Sequence, residues 1–245
     1  MAIRVSITEE FPLQRLFTIH VRAYTYMFPL AYALMTEKTR ALYTLVFDKV
    51  IEVLRTTVGN GAITIINMVS DYEFAILNAM SAAFPRGTPR GCWFHFGQAI
   101  FRKVTRENLK EAYINRPNVK KIIMMLIALA LLPAAQAHDG FMHIQRESVA
   151  LLVEETPEIR AKIQIIFEYM QRYWFDIVTP ERFSVYGQSS RTNNEVECFH
   201  RWFNARCGKY HQSFWTFIEY LLGENGVNVD TIFLFAIFLV VFTFS

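Results

Sequence analysis

Cysteine is scarce in this chain: Cys92, Cys198 and Cys207 make an odd number with no C-x-x-C spacing. That excludes a disulfide framework and a cysteine-rich zinc site, and it points to a reducing compartment. The opening residues Met1 to Glu10 lack the basic and then apolar order of a secretory leader. No aspartate occurs before Asp48, and no apolar run reaches the roughly 20 residues that a membrane-spanning helix needs. The apolar stretch Ile122 to Leu132 is too short to cross a bilayer and reads as a buried helix that Pro133 ends. Internal repeats and low-complexity linkers are also missing.

What is present supports a substantial core. Of 245 residues 53% are hydrophobic and 15% aromatic, which excludes global disorder and suits one large domain or a core domain with an insertion. The net charge of +3 is unevenly spread. Between residues 86 and 121, nine basic residues (Arg86, Arg90, Arg102, Lys103, Arg106, Lys110, Arg116, Lys120, Lys121) face only Glu107 and Glu111, a local +7 that leaves −4 for the rest. Such a separation fits a polyanion-binding surface, and equally a solvated basic helix.

The hydrophobic pattern predicts strands at Ile3–Thr8, Leu16–Val21 and Tyr26–Met35, with Pro29 marking an edge or irregularity. A helix is predicted from about Lys38 to Leu54, a turn at Gly59-Asn60-Gly61 and a buried strand over Ile63–Val69. Asp71 sits just past that strand, before a helical pattern at Tyr72–Ala83. An acid there is either a helix cap or a group facing a ligand at the carboxyl end of a sheet. Arg90–Phe96 reads as a further strand or buried segment holding Cys92-x-x-His95, which supplies two ligands and so only half of a structural tetrahedral site. From Gln98 to Trp174 the spacing is helical.

The stretch from Arg191 to Asn204 reads as a capped helix. Thr192 and Glu195 fit a capping box, and Val196, Phe199 and Phe203 make a buried stripe. Glu197, His200, Arg201 and Asn204 share one flank of it. A carboxylate there is either salt-bridged or a metal ligand, because a bound cation offsets the cost of leaving water.

The run Thr192-Asn193-Asn194-Glu195-Val196-Glu197, with His200-Arg201-Trp202-Phe203-Asn204, resembles the last catalytic block of Mutator-like (MULE) transposases. Other blocks match in order: Leu16-Phe17-Thr18-Ile19-His20, Phe28 to Met35, the Asp71 segment, Gly91-Cys92-Trp93-Phe94-His95-Phe96 and Ala128 to Pro133. The resemblance covers roughly residues 13–222. It implies an α/β, RNase H-like mixed sheet with flanking helices, built from 1–96 and 189–222 around an all-helical insertion at 97–188, with a divergent apolar tail at 223–245.

It also implies a DDE set of acids holding Mg²⁺ or Mn²⁺ for DNA cleavage and strand transfer, with Asp71 and Glu197 as the second and third acids and as metal ligands. Those two are expected to face one another across a small polar cleft, with Glu195, about 200° away around the helix, pointing elsewhere. Cys92, His95, Asn194 and His200 would shape the active site. Arg86, Arg90, Arg102, Lys103, Arg106, Lys110 and Arg201 would contact DNA. The implied setting is nuclear, with DNA as partner and self-association allowed.

The family's first acid falls near Ile3 on counting back from Leu16, where this chain has none. The first strand is therefore read as truncated and the chain as a fragment inactive on its own. Two alternatives stay open: a non-catalytic DNA- or protein-binding module, and a protein tethered to a membrane through the apolar, β-prone residues 231–245.

Overall fold

The computed structural model describes residues 2–3, 15–23, 26–58, 67–188, 191–192, 194–207 and 238–242. It is a mixed α/β structure in two compact units: residues 1–65, 73–86 and 194–245 form the first, and 66–72 with 87–193 the second.

The first unit is built on a sheet of order β1 (Ala2–Ile3), β2 (Arg15–Ala23), β3 (Tyr26–Met35), β6 (Phe238–Phe242). Strands β2 (Arg15–Ala23) and β3 (Tyr26–Met35) form an antiparallel pair close to the predicted bounds. Leu30 to Met35 are buried without alternation, as expected for a strand covered on both faces. The register slips between Ile19 and His20, and His20 stands opposite Pro29, which has no N–H for a regular ladder bond. The irregularity expected at Pro29 is therefore present.

Strand β1 (Ala2–Ile3) pairs antiparallel with β2, placing Ile3 opposite Leu16. Strand β6 (Phe238–Phe242) runs parallel to β3, with Ala31 opposite Phe238, so these residues of the β-prone tail enter a sheet. Among the described residues no helix is long and apolar enough to cross a membrane.

Helix α1 (Arg40–Val58) buries Leu42, Tyr43, Val46, Phe47 and Val50. Phe17 of β2 meets the Tyr43 and Phe47 rings edge-on at 5.1 and 6.2 Å. Glu73, which precedes helix α2 (Phe74–Ala83), accepts from Lys38 Nζ at 2.7 Å and from Tyr43 Oη at 3.0 Å, tying α2 to the start of α1. Helix α9 (Asn194–Cys207) also belongs to this unit.

In the second unit β4 (Asn67–Ser70) pairs parallel with β5 (Thr88–Gly91). Every later element to Phe183 is helical: α3 (Trp93–Arg106), α4 (Lys110–Asn115), α5 (Pro117–Ala128), a 3₁₀ turn at Leu129–Leu131, α6 (Ala134–Leu151), α7 (Pro157–Tyr169), a π-helix at Met170–Val178 and α8 (Pro180–Phe183). The long helical pattern is cut where the backbone demands it. Asn108 takes a positive φ of 55°, Pro133 precedes α6, and the Thr156 hydroxyl caps α7 by accepting from Ile159 N, with Pro157 at the first helical position.

One expectation is corrected. The segment Arg90–Phe96 is not a strand throughout: β5 stops at Gly91 and α3 begins at Trp93. Phe96, Ile100 and Val104, spaced by four, bury one face of α3, and that longer helical period decides what a short apolar run leaves ambiguous. The predicted Gly59–Gly61 turn, Ile63–Ile66 and a helix over Ser213–Leu222 lie outside the described residues. So does the capping box, because Asn193 and the Glu195 side chain are not described.

Candidate functional site

Asp71 directly follows β4, and His95 lies in the first turn of α3 just after β5. The two residues therefore stand past the carboxyl ends of neighbouring parallel strands, the position at which open α/β sheets gather ligands. Asp71 Oδ1 is 3.2 Å from His95 Nδ1, and both side chains are partly buried. The backbone around the pair is held tightly. Cys92 N donates to Ser70 O at 2.8 Å, Trp93 N to Arg191 O at 3.0 Å, and the Trp93 indole N–H to Ile127 O at 3.2 Å. Cys92 is fully buried as the residue before α3.

Tyr72, beside Asp71, is half-buried and packs edge-on against Trp174 at 4.8 Å, and desolvation, Cys92 and Tyr173 raise its pKa well above the ordinary tyrosine value. Its ring lies against Gly91, where a Cβ would come within 2.0 Å of it. The end of β5 thus carries a glycine where an aromatic ring leaves no room for a side chain.

The basic residues separate by environment. Arg90 turns inward and donates to Ser184 O, and Lys103 pairs with Glu107 and lies 5.9 Å from the centre of the Tyr169 ring. Arg116 reaches Glu155 at 3.0 Å. Arg102, Arg106 and Lys110 are exposed in the second unit, and Arg86 and Arg201 are exposed in the first. Arg201 also contacts Cys198 Sγ at 3.1 Å.

Glu197 is half-buried on α9 in the first unit, whereas Asp71 is in the second. Asn194 opens α9, and its side chain is outside the described residues. His200, one turn beyond Glu197, is only 2% exposed, deeper than its place on the flank of the stripe suggested. The cause is a polar contact: His200 Nε2 lies 2.7 Å from Thr18 Oγ1 on β2, and His20 Nε2 lies 3.1 Å from the same oxygen. One hydroxyl can donate to one ring nitrogen and accept from another, so Thr18 can serve both imidazoles. Burial, then the nearby His200, lowers the His20 pKa from 6.5 to about 4. Thr18 and His20 did not stand out in the sequence as site residues. Their i, i+2 spacing, which puts both on one face of a strand, was the available signal.

Among the described residues no three His, Cys, Asp or Glu side chains gather as a metal cluster. Asp71 and His95 approach one another and form a two-member set only.

Residues 7–99 match the MULE transposase domain. The similarity read from the Leu16–His20, Phe28–Met35, Asp71 and Cys92–His95 blocks is thereby borne out over those residues. The matched segment includes Asp71 and His95 and ends before Glu197. No curated protein and no solved structure matches the chain.

Proposed function

We propose that the chain is a transposase-derived domain of the RNase H-like DDE class that binds DNA, with Asp71 and Glu197 as its retained acids, and that it does not cut or join DNA by itself. In this reading 1–96 and 189–222 make the RNase H-like part, 97–188 is the insertion, and the protein works in the nucleus. The observation that carries it is the placement of Asp71 at the end of β4, paired with His95, inside the MULE match.

Asp71 and Glu197 would hold Mg²⁺ or Mn²⁺, which when bound supplies an activated oxygen nucleophile and stabilises the leaving oxygen of a phosphodiester. The chain's own residues contribute charge and position. His95 fixes the orientation of the Asp71 carboxylate, and Arg102 and Arg106 hold phosphates. Strand β1 offers Ala2 and Ile3, and Ile3 stands opposite Leu16, so neither described residue of this strand is acidic. Two-metal chemistry needs carboxylate oxygens for both ions, and loss of one charge-stabilising group costs on the order of 10²–10³ in rate.

A nicking and strand-transfer assay with Mg²⁺ or Mn²⁺ should therefore read background for the unaltered chain. Ile3→Asp should raise it and Ile3→Asn should not. Metal-dependent strand transfer by the unaltered chain, abolished by Asp71→Asn, would overturn the inactivity and the assignment of the missing acid.

DNA binding is separately testable. Replacing Arg102 and Arg106 by Ala should weaken duplex binding similarly for all sequences and flatten the salt dependence by about 1.8, at about 0.9 per lost phosphate contact. An unchanged slope would remove this helix from the interface.

A further inference from the structure

Helix α3 has no acidic residue, and its outward face is unusual in composition. With Phe96, Ile100 and Val104 turned into the core, the positions opposite them are Phe94, Gln98, Arg102 and Arg106, a stripe at four-residue spacing. Arg102 and Arg106 are exposed, Arg102 donates to Gln98 Oε1, and the Phe94 ring is 46% exposed. A single exposed apolar residue is ordinary on a protein surface. Phe94 differs in its mounting and its neighbours.

Its backbone lies between Trp93, held at both its main-chain and indole N–H groups, and His95, whose imidazole meets the Phe94 ring edge-on at 5.6 Å and approaches Asp71 at 3.2 Å. The ring thus sits on a fixed turn, one residue from His95 of the Asp71–His95 pair. Along the helix axis Arg102 lies about 12 Å from Phe94, and Arg106 about 6 Å further. An apolar ring with two cations in line matches a strand whose base is free to stack and whose next phosphates run along the helix. It does not match a closed duplex, whose base faces are already covered.

We infer that Phe94 is a stacking platform for an unpaired base, so that the outward face of α3 takes a single-stranded stretch of DNA beside Asp71. This rests on the reading of the chain as a DNA-binding domain and goes further by naming the form of DNA. Stacking tolerates any base, so the preference is for strand state and not for sequence.

The test measures binding of a labelled oligothymidylate and of a blunt duplex of the same length to the whole protein. Phe94→Ala should weaken single-strand binding about tenfold and leave duplex binding unchanged. Phe94→Trp should restore it, and Arg102→Ala with Arg106→Ala should weaken both. Photocrosslinking of an iodouracil-substituted single strand should label residue 94. Equal losses for both DNAs on Phe94→Ala, no loss for either, or duplex binding without single-strand binding would each overturn the stacking site while leaving the DNA-binding reading intact. Binding to neither DNA would overturn both.

Discussion

Acidification from pH 7 to pH 4 should lower the unfolding free energy by roughly 3 kcal/mol through His20 alone. The sign follows from the direction of its shift. In the unfolded chain His20 takes a proton near pH 6.5, whereas in the folded protein burial and the neighbouring His200 delay this to about pH 4. Above pH 6.5 both states are neutral and the residue contributes no pH dependence. Between 6.5 and 4 the unfolded state binds more protons, so stability falls as pH falls, and below 4 the penalty is complete. Denaturant unfolding at several pH values, compared between the native chain and His20→Gln, isolates this contribution. The variant should lose the slope between pH 6.5 and 4 that is assigned to this residue. Equal slopes in the two proteins would mean that the imidazole is freely solvated, in conflict with its contacts to Thr18, His200 and Phe199.

Adding a single methyl group at Gly91 should have a comparable effect. A Cβ there would lie 2.0 Å from Tyr72 Cε1 and 2.1 Å from Cζ, inside any allowed contact. The ring has little room to yield, since it packs on Trp174, which in turn packs against Phe96 and Phe183 in the middle of the second unit. Overpacking of this kind costs about 3 kcal/mol, at the upper end of the usual range. Thermal or denaturant unfolding of Gly91→Ala measures it. A double-mutant cycle separates the clash from any loss of backbone freedom: in a Tyr72→Ala background the Gly91→Ala change should cost less than about 1 kcal/mol. A full penalty in that background would show that the strand, and not the ring, rejects the side chain.

Much of the backbone was legible in the sequence because the patterns were long. The β2 and β3 runs and the α1 stripe carry enough apolar residues at one period to exclude the alternative. Asp71 stands after a strand as expected, because Met68 and Ser70 are buried and the helical period starts only at Phe74. Where a segment was short, the sequence left two answers. Trp93 to Phe96 looks equally like strand and helix until Ile100 and Val104 are counted with it.

Site chemistry was legible as residue types and not as environments. Nothing local distinguishes Arg102, which is exposed, from Arg90, whose guanidinium reaches a carbonyl 94 positions later, or from Arg116, which is paired with Glu155. The depth of His200 likewise depends on a threonine 182 positions away. Long-range pairings of this kind have no local periodicity to announce them.

The pairing of β3 with β6 bears on how the protein is made. Ala31 is partnered by Phe238, 207 residues later. At translation rates of about 5–20 residues per second, the edge of β3 waits on the order of 10–40 s for its neighbour. Residues 66–72 and 87–193 of the second unit are all synthesised within that interval, so this unit has the material to fold while the first is still incomplete. During the wait β3 presents unpaired backbone groups on a wholly apolar stretch, Leu30 to Met35, which is a template for strands from other chains. Synthesis of this protein therefore has a defined window in which the β3 edge stands open to strands from other chains.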